Sequence, residues 1–584
     1  MNATGGCPTL RPVPDPAAVR RPQRFEAGTP RRRFTRGKEQ PRGVVWFGVG
    51  SFWGHLRHLI ASAIATEDVD SRDWMTPDEP RDLAARVARR LGAAEARATV
   101  TESLGRDLWI DYLADTGDDI SVSRAVARLV FAAYELPDPA APEAVLEAPR
   151  GDVLLFGGDT AYPVATAEEI AGRVVEPFNQ VLAERGDGRA RVLLGIPGNH
   201  DWYDGLDGFA RMFRRHLAHS GGTQRPQGMR TTLFDFAREF VRGGQIGKPG
   251  TLDLAGYAPA QSASYFALPV APGISVLAVD RQLKRIDARQ QHYFATWMDK
   301  NLAMSPWVVL PDPVLRFGVT SPNGAGMIES LGLSLDARPH LVLSGDVHHY
   351  RRDVDGATLH ITAGGGGAFL HPAPLARTGR RAAVVEWPDV RQCRALLPQV
   401  PWKIALGRSG ILPHLALVLL FVPMLPVGTD ASALVALIVV ALIATPLYAL
   451  IGGIRRSGAP TLLLAIIAGA LTAALPLAAS RGLQALLDTT GRTLPVAAVA
   501  GVSLIVAVFA GALVFGSFLA LSTALGLENT QAFTALDHPG FKHFVRLRVR
   551  ADGSAVDGWC LGLVDPLDRN AEPVLVDAFT WNAR

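Results

Sequence analysis

Four runs toward the carboxyl end of this 584-residue chain constrain its fold more than anything before them. At about 411–427, 432–454, 460–480 and 494–523 they hold no Asp, Glu, Lys or Arg, and their lengths approach the ~20 residues a helix needs to cross a bilayer. Backbone in hydrocarbon must satisfy its own hydrogen bonds, so such runs are read as helices. An α-helical transmembrane bundle of about four helices is expected over residues 405–528. The first run is short and contains Pro413, Pro423 and Pro426, so it is the one expected to tilt, kink or fall short of spanning. No Asp, Glu, Lys or Arg within the runs marks an ion pathway or proton relay, and His414, near an end of the first, is read as interfacial. Small residues, Gly469, Gly501, Gly511 and Gly516 among them, allow close helix packing, which makes the runs an anchor and a surface for homo-oligomers.

Four crossings place both ends of the bundle on one side. Lys403 and Arg408 precede the first run, Arg455 and Arg456 lie between the second and third, and Lys542, Arg546, Arg548 and Arg550 follow the fourth. The first connecting loop has no Lys or Arg, so the positive-inside rule expects a multi-pass protein of the cell membrane, its preceding domain and both termini cytoplasmic. Cys7, Cys393 and Cys560 are the three cysteines; their wide spacing excludes a disulfide framework and a Cys-based zinc site, and suits a reducing compartment. No secretory leader is expected, because a Pro/Arg-rich stretch precedes the first apolar run at Gly43. Residues 1–44 carry ten Lys/Arg against three Asp/Glu and read as a disordered basic tail, with contact to anionic lipid through Arg31–Lys38 as the alternative. The rest of the chain is slightly acidic, so no nucleic-acid partner is indicated.

Residues 45–107 read as a helical extension. Phe52, Trp53, Leu56, Leu59, Ile60 and Ile64 share one helix face, read as core packing, with an interfacial helix against the bilayer as the alternative. A charged, Ala-rich helix is expected over 80–106 and a more apolar one over 122–136. Around them, one pattern recurs four times: a short hydrophobic strand delivers Asp, Asn or His immediately past its carboxyl end. Leu108–Leu113 leads to Asp115-Thr116-Gly117, and Val153–Phe156 to Gly158-Asp159-Thr160-Ala161-Tyr162. Leu193–Ile196 leads to Gly198-Asn199-His200-Asp201, and His340–Ser344 to Gly345-Asp346-Val347-His348. In open α/β sheets ligands bind at such ends. Carboxylate, amide oxygen and imidazole are the donors divalent metals take, and an ion pair about 3.5–4 Å apart can clamp both oxygens of a phosphoryl transfer. Asp159, after two glycines, is the candidate bridge. The run Gly364–Gly367 reads as a flexible turn or as a close approach to phosphate.

Taken in order, Asp115-x-Gly117, Gly158-Asp159-x-x-Tyr162, Gly198-Asn199-His200-Asp201 and Gly345-Asp346-x-His348 resemble the calcineurin-like metallophosphoesterase superfamily, and within it the purple-acid-phosphatase variant. The resemblance covers roughly residues 108–390. It implies an α/β fold, a metallophosphoesterase two-sheet β-sandwich flanked by helices over 108–398, and two metal ions of Mn, Fe or Zn type. It further implies that Asp115, Asp159 and His348 hold one ion, with Tyr162 as a further ligand, and that Asp159 and Asn199 hold the other. His200 would then be the catalytic histidine and Asp201 the group that orients it.

This chain departs from the family pattern twice. Asp346 stands where a histidine is usual, and a carboxylate can still bind metal there. Where a histidine is expected after the strand Trp307–Leu310, the chain has Pro311-Asp312-Pro313, so Asp312 is read either as a replacement ligand or as a turn aspartate. Residues 529–584 alternate in strand fashion, with Ala551-Asp552-Gly553 as a turn, and are expected to form a β-rich segment packing beside the catalytic domain. The reading from sequence is a membrane-anchored hydrolase of phosphate mono- or diesters. The alternative is a catalytically impaired phosphoesterase-like sensor or scaffold.

Overall fold

In a computed structural model, residues 43–53, 56, 75–186, 188–215, 252–281, 286–336, 338–376, 380–422, 430–568 and 570–583 are described. Most of the basic tail, Leu59, Ile60, Ile64, Pro423 and Pro426 lie outside them.

Two seven-stranded sheets dominate. Across the first run β18 (Val574–Asn582), β17 (Ala555–Leu563), β16 (Lys542–Val549), β1 (Leu108–Leu113), β4 (Val153–Phe156), β5 (Arg191–Gly195) and β6 (Tyr257–Pro259). Across the second run β15 (Val385–Trp387), β13 (Tyr350–Asp355), β14 (Thr358–Ala363), β12 (Leu341–Ser344), β9 (Ser305–Leu310), β8 (Ile274–Ala278) and β7 (Phe266–Ala271). Two small ribbons, β2 (Tyr134–Asp138) with β3 (Ala141–Ala148) and β10 (Leu315–Arg316) with β11 (Val319–Thr320), complete the strands among the described residues.

Side-chain alternation explains how the sheets meet. Ile110, Tyr112, Val153, Leu155, Val192 and Leu194 of the first share one buried cluster with Val276, Trp307, Val309, Leu341, Leu343 and Ile361 of the second. Their strand neighbours Trp109, Leu154, Phe156, Leu193, Val308 and Val342 point the other way, into a cluster lined by helix residues such as Val122, Val126, Leu129 and Phe178. A period of two thus gives each strand one face for the opposing sheet and one for helices.

Two helices expected from periodicity are cut short. The 80–106 stretch forms Pro80–Arg90 and Val100–Leu104; Gly92, at φ 95°, ends the first, and the Thr99 side chain caps the second. The 122–136 stretch forms a helix over Ile120–Val130 and then enters β2, where Pro137 would break a helix interior.

The carboxyl-terminal strands are not a separate hairpin. β16 pairs antiparallel with β1, from Leu108 opposite Val549 to Tyr112 opposite Val545. Arg546 and Asp111 form an ion pair with both side chains fully buried. Arg546 Nε and Nη2 donate to the two Asp111 oxygens at 2.7 and 3.0 Å, and the other N–H groups reach the carbonyls of Val130, Ala132 and Ala148 at 2.7, 2.8 and 3.3 Å. All five guanidinium donors are thereby used.

Among the described residues, three helices are long and apolar enough to cross a bilayer: Ser432–Ile451, Gly458–Thr490 and Val496–Ala524. The first apolar run gives a helix over Leu412–Phe421, 10 residues within the described part. Residues 423–429, with Pro423 and Pro426, lie outside the described part. Gly452 packs against the Phe518 ring and Gly453 lies against the Leu527 carbonyl, so the ends of the first and last long helices meet. Because β16 follows these helices and pairs with β1 before them, the chain enters and leaves the helical region at one end.

Candidate metal centre

The four recurrent strand ends converge where the two sheets meet. β1, β4 and β5 are parallel neighbours in the first sheet, and β9, β12 and β14 in the second. Asp115, Asp159 and Asp346 follow β1, β4 and β12, and all three adopt left-handed backbone, with φ of 60°, 49° and 64°. That region costs a non-glycine residue about 1–3 kcal/mol and persists where the surroundings demand it. Here it turns each chain sharply past its strand.

Contacts follow directly. The Tyr162 hydroxyl donates to Asp115 Oδ1 at 2.9 Å and lies 3.4 Å from Asp159 Oδ2 and 3.2 Å from His348 Nε2. His348 Nε2 is 3.4 Å from Asp115 Oδ1, and the Asp346 amide donates to Asp115 Oδ2 at 3.0 Å. The His200 amide donates to Asp159 Oδ1 at 2.8 Å. Asp115, Asp159, Tyr162, His348 and Asp346 therefore form one connected set, and His200 borders it. Asn199 is adjacent by sequence, and its amide nitrogen donates to the Tyr203 hydroxyl at 3.1 Å.

Crowding shows how tight the centre is. A Cβ on Gly198 would run into the Asp159 carboxylate, and one on Gly364 into Asp115 Oδ2. The glycine run is thus a close approach to the centre, not merely a flexible turn.

Burial pushes the Asp115 carboxyl above its usual range, with His348 opposing the shift. Burial, followed by repulsion from Asp115 and Asp201, pushes Asp159 further up. Asp312 is raised to about 7, first by burial and then by the nearby Asp346 charge. It contacts Arg281, and Asn323 Nδ2 donates to it at 3.4 Å. Arg316 Nη2 lies 3.3 Å from Asp346 Oδ2. The half of the centre beside β9 and β12 therefore holds two carboxylates with two arginines, a pairing that Arg281 and Arg316 did not announce in sequence.

The role expected of Asp201 is corrected. Its carboxylate accepts from the Gly198 amide at 2.8 Å and the Thr160 amide at 3.3 Å. The His200 ring is held elsewhere, with Nδ1 2.7 Å from the Pro163 carbonyl. His200 and Asp201 are consecutive in the helical turn Asn199–Trp202, where neighbouring side chains do not face each other. Asp201 is a cap for that turn.

Three residues join from distant sequence. His371 stacks on His348 with centroids 4.0 Å apart, and its Nδ1 accepts from the His348 amide at 3.1 Å. Lys542, the first residue of β16, is buried and donates to the Ala368 carbonyl, and burial lowers its amine to about 8. Trp46 lies edge-on to Tyr162 and Phe369, at 5.6 and 5.0 Å.

Among the described residues, no three His, Cys, Asp or Glu side chains are already arranged as a metal-ligand set; the Tyr162 hydroxyl lies between the donors and bonds to them. The donor chemistry nevertheless fits a divalent cation. Buried carboxylates, an imidazole whose Nδ1 is fixed 2.7 Å from the Phe369 carbonyl and a phenol form the oxygen-rich mixed set such ions take.

No protein-family model matches the chain, and no curated protein matches it. Among solved structures, one described as GAP50, the anchor in the inner membrane complex of Plasmodium, aligns with a TM-score of 0.28 and 11% identity over 49% of this chain and 79% of that one. A structure of PhoD aligns with a TM-score of 0.25 and 9% identity over 45% of this chain and 58% of that one, less than two thirds of its length. Likeness at these scores carries no argument, and the functional reading rests on the residues themselves.

Proposed function

We propose that this chain is a membrane-anchored, metal-dependent hydrolase of phosphate mono- or diesters, built on the two-sheet sandwich of the calcineurin-like metallophosphoesterases. The observation that carries the reading is the set of three left-handed aspartates, Asp115, Asp159 and Asp346, meeting His348 and Tyr162 at the ends of parallel strands from both sheets. Asp115, Asp159 and His348, with Tyr162, would hold one ion. Asp159, Asn199 and Asp346 would hold a second, with Asp312 beside it. When bound, the ions supply positive charge to the phosphoryl oxygens and activate water.

The remaining work falls to the protein. His200, fixed through Nδ1 by the Pro163 carbonyl, exchanges a proton with the leaving oxygen through Nε2. The turn that carries it is held by Asp201. Trp46 and Phe369 restrict water on the side of Tyr162 and His348. The domain is proposed to lie in the cytoplasm, following the distribution of Lys and Arg around the apolar runs.

One observation favours a second reading. Arg281 and Arg316 already compensate Asp312 and Asp346, which suits a protein that binds a phosphate ester, or a single ion, without turning it over. Metal content of the detergent-purified protein, measured with hydrolysis of p-nitrophenyl phosphate and bis-p-nitrophenyl phosphate under Mn, Fe and Zn, separates the two. The hydrolase reading expects bound metal and turnover, with His200→Ala lowering kcat by about 10²–10⁴-fold. Metal binding without turnover, or turnover indifferent to both Asn199→Ala and His200→Ala, refutes it.

A further inference from the structure

One short segment ties the candidate centre to the start of the apolar region. The Val44 amide donates to Asp118 Oδ1 at 3.0 Å, and the Trp46 ring lies 5.6 Å from Tyr162, 6.2 Å from His200 and 5.0 Å from Phe369. The next residue faces the other way. The Phe47 amide donates to the Ser409 carbonyl at 3.1 Å, and the Phe47 carbonyl accepts from the Leu412 amide at 3.1 Å. Leu412 is the first residue of the apolar helix that ends at Phe421, and the Phe47 backbone fills the space a Cβ on Gly410 would need. One residue step, ~3.8 Å between Cα atoms, separates contact with Tyr162 and His200 from contact with the first apolar helix.

The chain leaving the last long helix returns to the same place. The Leu370 amide donates to the His538 carbonyl at 3.0 Å, and Lys542 reaches the Ala368 carbonyl, so both flank the loop that carries Phe369 and His371. Ser409 Oγ donates to the Ala535 carbonyl at 2.6 Å. The centre is therefore enclosed by the segments that enter and leave the apolar helices.

Large apolar side chains stand exposed at this junction. The helical turn over residues 49–53 shows Val49, Phe52 and Trp53, the latter two 53% and 60% exposed. Trp402, Leu406 and Ile411, just before the first apolar helix, are exposed by more than half as well. Aromatic residues bordering spanning helices belong at the headgroup level of a bilayer, and a headgroup layer is only about 5–8 Å deep on each side of the hydrocarbon.

We infer that the ester this site takes is carried by a lipid that remains seated in the bilayer, its headgroup phosphate presented at the junction of residues 44–53 with residues 402–412. This rests on the hydrolase reading above and adds the substrate class. Phe52 and Trp53 seat the junction in the interface, and Trp46, one residue from the membrane-side contact, forms the wall between acyl chains and centre.

The full-length protein in phosphatidylcholine vesicles containing phosphatidic acid or phosphatidylglycerol, compared with glycerol 3-phosphate and glycerophosphoglycerol in solution, tests this. The lipids are expected to react with a kcat/KM about 100-fold above their soluble headgroups, since bilayer presentation acts as a raised effective concentration. Their rate should fall as the lipid is diluted within the surface at constant bulk concentration. Phe52→Ser with Trp53→Ser should lower lipid turnover about tenfold through lost interfacial burial, leaving p-nitrophenyl phosphate turnover unchanged, and Trp402→Ser should do the same in a separate background. Soluble headgroups hydrolysed as fast as lipids overturn the lipid inference and leave the hydrolase reading standing. A loss shared equally by lipid and p-nitrophenyl phosphate in both variant backgrounds also overturns it. If no phosphate ester of either kind is hydrolysed, the hydrolase reading itself fails, and the inference with it.

Discussion

Arg546→Met is the substitution with the most to say about how this molecule is held together. The change removes a guanidinium whose five donors are all used, two on Asp111 and three on the carbonyls of Val130, Ala132 and Ala148. It leaves the Asp111 carboxylate fully buried with only the Gly151 amide, at 2.9 Å, still donating to it among these contacts. Breaking a buried pair from one side costs about 3–5 kcal/mol, or about 10²–10⁴-fold in the equilibrium for docking β16 on β1. Met retains much of the apolar volume, so the loss reads the polar contacts and not a large cavity. Amide hydrogen exchange on the detergent-purified protein should accelerate in β1, β16 and β17 while the outer strands of the second sheet keep their protection. Replacing both partners, Asp111→Leu with Arg546→Met, should restore most of that protection, because an apolar pair of similar size leaves no buried charge. Unchanged exchange in Arg546→Met would show that the pair does not hold the carboxyl-terminal strands, and protection lost equally in the double variant would show that packing, not charge, is the cause.

Asp201→Ala should cost about 1–2 kcal/mol as the loss of a helix-turn cap, seen in the melting temperature, and should leave the pH of half-maximal kcat where it was; a shifted pH profile would restore the role of orienting His200. Asp312 is raised to about 7, so the fold binds a proton there that the unfolded chain releases near its ordinary range. Stability from this group is present at low pH and lost as pH rises toward 7. In chelator-treated protein the melting temperature of Asp312→Asn relative to wild type should therefore climb between about pH 4 and pH 7, and a constant difference refutes the assignment. Burial raises the Cys393 and Cys560 thiols, so neither should be alkylated by iodoacetamide at pH 8 until the protein is unfolded, as peptide mapping would report.

Much of the centre was legible because its information is local. An apolar strand that ends in Asp, Asn or His declares both its burial and its exit, and Asp115, Asp159, Asn199, His200, Asp346 and His348 all came from such ends. Where the reading missed, the cause was chain distance or local geometry. Trp46 is more than a hundred residues from the Tyr162 it approaches, and Lys542 more than a hundred from the Ala368 carbonyl it reaches, and nothing in their own surroundings marks them. The arginines beside Asp312 and Asp346 belong to no motif and are recognised only when β8, β9 and β12 lie side by side in the second sheet and β10 brings Arg316 to Asp346. Asp201 was misjudged because its sequence neighbour is not its spatial neighbour in a helical turn. The glycine run was underrated because a sequence shows flexibility more readily than crowding.

The pairing of β16 with β1 has a practical consequence. Seen from the sheet, everything between the helix Gln399–Ala405 and the helix Gln531–Leu536 is one long excursion whose two feet stand side by side, bonded through Ser409 to Ala535 and Lys403 to Leu536. Cutting the chain after residue 398 to obtain a soluble fragment would strip three strands from the first sheet and bare the edge of β1. Deleting the excursion and bridging its feet with a short loop keeps all fourteen strands of the two sheets, and that graft, not a truncation, is the route to a water-soluble form of this protein.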